Sequence, residues 1–307
     1  MTDAGGAAPS PTMIGTPVDP PFAALPDPAT HFRVRAQRFA VLAQDHQLAP
    51  YLHFMAGLAE AQHRTQEGLP TPTAPDPALL ARARDHAMPP LDRSRTAGDP
   101  ALGATLDRLF DLAPQIAMPD AARDALFRAR ALDAGGRAEL VGLVTSEIAP
   151  GERLGEATFV AAALQVHFAR MASRLDAKKL VPVGEGACPS CGGAPVASVL
   201  VDWPAAHGVR YCACSLCSTL WHVVRVKCAC CGSTEGIAYE EIADGPGGGQ
   251  VRAETCRTCG GYVKIMLQEK NPALDPVADD VATLGLDLLV RETGFRRRAV
   301  NPFLRGY

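Results

Sequence analysis

The stretch that decides the fold runs from residue 188 to residue 259 and holds all ten cysteines of the 307-residue chain. Eight of them form Cys-x-x-Cys pairs: Cys188/Cys191, Cys214/Cys217, Cys228/Cys231 and Cys256/Cys259. A Cys-x-x-Cys turn places two thiolates on one side of a tight loop, within reach of a tetrahedral ion at about 2.3 Å. Thiols paired so closely favour metal over disulfides, and four pairs predict two four-cysteine sites.

The spacing of the pairs predicts which of them share an ion. There are 22 residues between the first and second pairs, 24 between the third and fourth, and only 10 between the second and third. Sequential pairing follows, with one ion in each of two tandem ribbons. The predicted metal ligands are Cys188, Cys191, Cys214 and Cys217 for the first site, and Cys228, Cys231, Cys256 and Cys259 for the second.

The identity and role of the two ions stay open at this point. Rubredoxin-type iron uses the same four thiolates as structural zinc, so the cofactors are iron or zinc. A closed four-ligand site is structural by default, and a redox or metal-handling role is the alternative. Cys212 and Cys230 belong to none of the four pairs. We interpret them as buried small hydrophobic residues, in preference to substitute ligands or free thiols. His207 and His222 are interpreted as surface or strand histidines.

Glycine follows three of the four pairs, as Gly192, Gly232 and Gly260. A residue without a Cβ lets backbone N–H groups approach sulfur in such a turn. Ser218 takes this position after Cys217, which predicts a less regular turn there.

The composition changes along the chain and predicts a multidomain α plus small β protein. Residues 1–28 are rich in Pro and Ala and are predicted to be a disordered tail. Residues 29–180 carry helical periodicity, for example Phe32, Ala36, Phe39 and Ala43, and predict an all-α domain of six or seven helices. The two rubredoxin-like or zinc-ribbon modules occupy residues 181–226 and 227–270, and a C-terminal helix with a basic tail occupies 271–307.

Short β-prone runs lie beside the cysteine pairs, at 196–201, 209–211, 221–226 and 262–267. In the last segment Val277, Val281, Leu284 and Leu288 predict one helix face. Asp279 and Asp280 are interpreted as solvated residues that stabilise the helix dipole, in preference to a binding role. For the terminal arginines, a solvated basic end and a docking site for an acidic partner are equal alternatives. The arginines concerned are Arg291, Arg296, Arg297, Arg298 and Arg305.

Charge and motif content exclude several classes of function. The net charge is −3, and residues 187–270 hold seven Lys/Arg and seven Asp/Glu, so a nucleic-acid-binding ribbon is not expected. No apolar run reaches the ~18 residues of a membrane span, and the first residues lack a secretory signal pattern, so we expect a cytoplasmic protein without membrane insertion. Phosphate-binding loops, nucleophile elbows and H-E-x-x-H motifs are also absent from the sequence.

The cysteine region resembles the formate dehydrogenase accessory proteins called FdhE. The resemblance is carried by CPSCG at 188–192, CSLC at 214–217 followed by Leu220-Trp221, RVKCACCG at 225–232 and CRTCGGYVK at 256–264. It continues through ADDVATLGLDLL at 278–289, Gly294-Phe295 and NPFL at 301–304. These motifs cover the C-terminal third, whereas the N-terminal helices carry no comparable signature.

The resemblance implies a function that the residues alone do not give. It implies a cytoplasmic maturation factor that binds the catalytic subunit of respiratory formate dehydrogenase before export, with iron as the proposed metal and without enzymatic activity. A rubredoxin-type iron electron-transfer module is the alternative. The oligomeric state is left open, with a homodimer among the alternatives.

Overall fold

The computed structural model describes residues 19–148, 150–204, 206–242 and 248–305. Within these ranges the chain forms a helical domain followed by a sheet that carries both cysteine clusters and by two short C-terminal helices. This arrangement confirms the predicted fold class. No helix in the described ranges combines the length and apolarity needed to cross a bilayer.

Seven α-helices form the N-terminal domain in the described residues, at the upper end of the predicted number. Their bounds are α1 His31–Leu42, α2 Ala49–Glu67, α3 Pro77–Asp85, α4 Pro100–Leu112, α5 Asp120–Ala131, α6 Ala134–Thr145 and α7 Leu154–Ala172.

Local sequence sets several of these helix starts. Asp76 and Asp99 precede α3 and α4, and the carboxylate of each accepts a hydrogen bond from the backbone N–H two residues later. Pro77 and Pro100 follow as the first helical residues, where a missing N–H costs nothing. Asp133 caps α6 through the N–H of Gly136.

The central helix of the domain is α7, which is apolar on nearly all sides and buried along most of its length. It packs against α2, α4, α5 and α6. Its apolar core is continuous with that of the sheet, because one cluster of buried side chains includes Leu164 and Phe168 of α7 together with Val196 and Val263 of the sheet. The helical domain and the cysteine modules therefore fold around a shared interior.

The strands in the described residues are β1 Ala23–Ala24, β2 Pro195–Leu200, β3 Arg210–Cys214, β4 Leu220–His222, β5 Ile237–Glu240, β6 Val251–Cys256, β7 Gly261–Leu267 and β8 Arg296–Arg297. They form one sheet in the order β1-β4-β3-β2-β7-β6-β5, with β8 paired to β7.

The two modules are joined by a parallel pairing of β2 with β7, in which Ser198–Leu200 lie opposite Ile265–Leu267. The three strands β2, β3 and β4 are antiparallel neighbours in the first module, as are β5, β6 and β7 in the second. The tandem ribbons predicted from the sequence are thus two halves of one sheet. The β-prone runs in the sequence predicted strands β2, β3, β4 and β7. No such run predicted β5 or β6.

The prediction of a disordered N-terminal tail over residues 1–28 is wrong for the second part of this segment. Residues 1–18 lie outside the described residues. Ala23–Ala24 pair with Trp221 and Leu220 of β4, and the carbonyl of Pro21 accepts a hydrogen bond from the Tyr211 hydroxyl at 2.8 Å. An extended Pro-rich segment cannot fold alone, but it satisfies its backbone groups by adding to the edge of an existing sheet.

The C-terminal segment also differs from its prediction. It contains two helices, α8 Ala278–Ala282 and α9 Leu284–Glu292, which meet at Thr283. Leu288, assigned to the buried face, is 49% exposed because the break at Thr283 changes the direction of the face.

The aspartates of α8 are buried and ion-paired, so the interpretation as solvated residues is wrong. Asp280 is fully buried and lies 3.2 Å from Lys264 Nζ and 2.5 Å from the Arg297 guanidinium, and Asp279 pairs with Arg38 at 2.6 Å. Burial raises the pKa of Asp280, but the neighbouring charges of Arg297 and Lys264 outweigh it and lower that pKa below its ordinary value.

Two of the terminal arginines fit neither alternative considered for them. Arg297 bridges Asp280 and Asp287, and Arg305 donates to the carbonyls of Val144 and Ile148 at the end of α6. These guanidiniums hold the C-terminal segment against the protein.

Replacing Lys264 by Met should lower the free energy of unfolding by about 3–5 kcal/mol, because it removes a cation from a fully buried cluster of carboxylates. Lys264 is 1% exposed, and its ammonium also lies 2.5 Å from Asp287. Urea unfolding monitored by circular dichroism measures the change. Lys270→Met is the matched control, since Lys270 is exposed and should change stability by less than about 0.5 kcal/mol. Equal small effects of both substitutions would contradict the assigned role of Lys264.

Candidate metal centres

The first site brings together the four predicted cysteines Cys188, Cys191, Cys214 and Cys217. The Cys188 and Cys217 sulfurs lie 3.5 Å apart, as do those of Cys191 and Cys214. All four residues are buried. The backbone N–H groups of Leu216 and Cys217 point at the Cys214 sulfur from 3.4 Å, as donors to a thiolate do.

The second site brings together Cys228, Cys231, Cys256 and Cys259. The Cys228–Cys259 sulfur distance is 3.9 Å and the Cys231–Cys256 distance is 3.8 Å. Cys228 and Cys256 are buried, whereas Cys259 is partly exposed and Cys231 is exposed. The two sites therefore have the same four-cysteine composition and differ in contact with solvent.

The sulfur positions fit a tetrahedral ion. A tetrahedron with metal–sulfur bonds of about 2.3 Å has edges of about 3.8 Å. The four close sulfur pairs, at 3.5–3.9 Å, match these edges, and all sulfurs of a site lie within 4.8 Å of one another. Each cluster could hold one metal ion, and four thiolates suit zinc or iron equally.

Each site contains one cysteine with a lowered pKa, at equivalent places in the two modules. Burial raises the pKa of Cys214, but hydrogen bonds with the other three thiols of its site outweigh it and lower the pKa well below its ordinary value. Burial also acts on Cys256, and there hydrogen bonds led by the Cys259 backbone N–H lower the pKa to about 7. A thiolate at neutral pH is the form that captures a cation.

The two remaining cysteines lie outside the four-sulfur groups. Cys212 is fully buried in β3, opposite Ser198 and Trp221 of the flanking strands, as expected of a small hydrophobe. Cys230 is half-buried between Cys228 and Cys231. Burial raises the pKa of each thiol to about 12, so both are protonated at neutral pH. His207 is exposed, and His222 lies in β4, as predicted.

The helical domain contributes contacts to the first site that the sequence did not reveal. Gln165 of α7 is fully buried and donates to the carbonyl of Ser215 at 2.8 Å, inside the second pair of the site. The N–H of Leu91 donates to the carbonyl of Ser190 at 2.9 Å, inside the first pair. Thr219 Oγ1 lies 3.2 Å from the Cys217 sulfur and donates to Ser190 Oγ at 2.9 Å.

A buried ion pair links the strands that lead to the two sites. Arg210 begins β3, which ends at Cys214, and Glu254 lies in β6, which ends at Cys256. Their side chains are 0% and 2% exposed and contact each other at 2.7 and 2.9 Å. Arg210 also donates to the carbonyl of Lys227, the residue before Cys228. No spacing signal in the sequence pointed to this pair, because its partners are 44 residues apart.

A helical domain built against a sheet with one buried and one partly exposed four-cysteine site defines a class of paired rubredoxin-like or zinc-ribbon proteins. Family models match in three successive parts: the N-terminal FdhE model at residues 20–185, the central domain at 187–225 and the C-terminal domain at 226–304. The chain belongs to the FdhE family.

Individual relatives resemble the chain over nearly its whole length. An FdhE homolog of Rhizobium meliloti strain 1021 is 44% identical over 97% of this chain and 98% of its own length. One of Stutzerimonas stutzeri strain A1501 is 37% identical over 93% of this chain and 92% of its own. The crystal structure of the FdhE protein from Pseudomonas aeruginosa is similar with a TM-score of 0.81 at 32% identity, covering 94% of this chain and 99% of that one.

The turn after Cys217 keeps the backbone geometry of the other three despite its serine. Gly192, Gly232 and Gly260 have φ of 72°, 74° and 63°, and Ser218 has φ of 59°. A side chain in this left-handed region costs about 1–2 kcal/mol relative to the right-handed one. The buried Ser218 hydroxyl also has no hydrogen-bond partner among the described residues. The turn is therefore regular in shape and strained at Ser218.

Ser218→Gly should raise the free energy of unfolding by about 1 kcal/mol, since it removes this strain and the unpaired hydroxyl. Gly260→Ser is the reciprocal control, because a Cβ there meets no atom within 4 Å and adds only the backbone cost. It should lower stability by a similar amount. Calorimetry of the two metal-loaded variants provides the comparison, and destabilisation by Ser218→Gly would show that the serine has a favourable role.

Proposed function

We propose that the chain is an accessory factor that binds the catalytic subunit of formate dehydrogenase in the cytoplasm, before export, and supports its maturation. Membership of the FdhE family is the observation that carries this proposal. The geometry of the cysteine sites supports a binding role rather than catalysis. Four cysteines close each site and leave no coordination position for a substrate.

The loop between the modules and the adjoining strand β5 offer an exposed surface for such a partner. Val224 and Val226 are 56% and 58% exposed on the loop between the modules, and Tyr239 is 44% exposed on β5. Exposed apolar side chains are typical of protein-binding surfaces, and these three belong to two segments that contact the same buried ion pair. We call these three residues the apolar face.

The apolar face is supported by the buried Arg210–Glu254 pair. The Tyr239 hydroxyl donates to Glu254 at 3.3 Å, and Arg210 donates to the carbonyls of Arg225 and Lys227, which flank Val226. One ion pair therefore holds both β5 and the loop. A surface ordered before binding loses less conformational entropy when a partner docks.

The test is capture of the formate dehydrogenase catalytic subunit by the purified chain, with formate dehydrogenase activity in cells as a second readout. Val224→Asp with Val226→Asp should weaken capture at least about tenfold, because the two carboxylates would be desolvated in the interface. The matched control is Val34→Asp with Val41→Asp on α1, where the two valines are 51% and 54% exposed. This control should bind as the unchanged chain does.

Each negative result has a separate meaning. Failure of the unchanged chain to capture the subunit, together with normal activity in cells lacking the protein, would refute the proposed function. Undiminished capture by the Val224/Val226 variant would refute only the apolar face as the docking surface.

Electron transfer by rubredoxin-type iron is the second candidate, and the exposure of Cys231 is the observation that favours it. A ligand sulfur at the surface would shorten the path for an electron between the ion and a partner. This function requires iron in anaerobically purified protein and a reversible one-electron couple. Zinc alone in both sites would remove it, since zinc has no redox chemistry.

A further inference from the structure

The two four-cysteine sites differ in their relation to the apolar core. All four cysteines of the first site belong to the main cluster of buried side chains, together with residues of α7 and of the sheet. The cysteines of the second site are not members of that cluster. Opening the first site therefore exposes part of the interior that holds the helical domain and the sheet together.

The two sites also differ in how their turns are held. Gln165 and Leu91 of the helical domain hydrogen-bond to carbonyls within both turns of the first site. The turns of the second site make exposed contacts, such as Arg298 donating to the carbonyl of Cys259 and Ser233 contacting Thr258, and only Ala229 of the first of these turns belongs to the main cluster. The adjoining strand β5 is exposed at three of its four residues and pairs with β6 alone among the described strands.

We propose that the second site exchanges its thiophilic divalent ion with the surroundings while the first site retains its ion. An incoming ligand can reach the second ion beside the exposed Cys231, and only the local contacts of one turn and β5 have to open. At the first site the same ligand must wait for opening of the common core. The chain thus carries one permanent ion and one exchangeable ion, independently of which partner it binds.

The test is release of zinc from protein loaded with two equivalents, followed with an excess of the coloured chelator 4-(2-pyridylazo)resorcinol. One equivalent should leave at least about 100-fold faster than the other, because a local opening is far more frequent than a global one. The slow phase should match the rate of global unfolding. Release of both equivalents at one rate would overturn the proposal.

Variants assign the two phases to the two sites. Cys231→Ser should abolish the fast equivalent and keep the slow one. Cys230→Ser is the matched control, since Cys230 lies in the same turn outside the four-sulfur group, and it should keep both phases. A Cys231→Ser protein that loses the slow equivalent instead would reverse the assignment and refute the proposal.

Intrinsic fluorescence gives an independent readout that needs no variant. The chain has two tryptophans, Trp203 and Trp221, and both lie in the first module. Trp221 pairs with Cys212 between β4 and β3, and Trp203 packs on Tyr211 with ring centroids 5.1 Å apart. Tryptophan emission should stay constant during the fast release and change with the slow one. A change during the fast phase would show that the first module opens with it.

Discussion

The parallel pairing of β2 with β7 is the contact through which the first cysteine module meets the second. It joins Ser198–Leu200 to Ile265–Leu267, so that two three-stranded units become one sheet. The buried Arg210–Glu254 pair spans the same junction and is also contacted by Ser198. A buried ion pair is costly unless both charges stay matched. The Arg210–Glu254 pair therefore specifies how β3 and β6 are placed relative to each other, and with them the two sites.

The asymmetry of the sites follows from this arrangement. Gln165 and Leu91 of the helical domain contact the turns of the first site, where all four cysteines are buried. At the second site Cys231 is exposed and Cys259 is partly exposed. The same ligand set therefore serves two environments. A thiolate site inside a core stabilises the fold, whereas one at the surface can respond to solvent, to a partner or to the supply of metal.

Much of the local structure was predictable because it depends on neighbours in sequence. Phe32, Ala36, Phe39 and Ala43 predicted α1 from their helical spacing, and β-prone runs predicted the strands β2 and β7, which are buried along their length. The strand β5 was not predicted, since Ile237–Glu240 is mostly exposed and gives no apolar pattern. Asp279 and Asp280 were predicted as solvated because their partners Arg38, Lys264 and Arg297 are distant in sequence.

The sequence by itself determined the four cysteine pairs and their assignment to two groups of four, because each Cys-x-x-Cys turn is local and its spacing limits which turns can meet. It also determined the family, through motifs concentrated around those turns. Only the tertiary structure decided that the two modules share a sheet and that Arg210 pairs with Glu254. It alone decided that one site is buried and the other exposed, because burial depends on which distant segment packs over a site, and residue spacing carries no information about that.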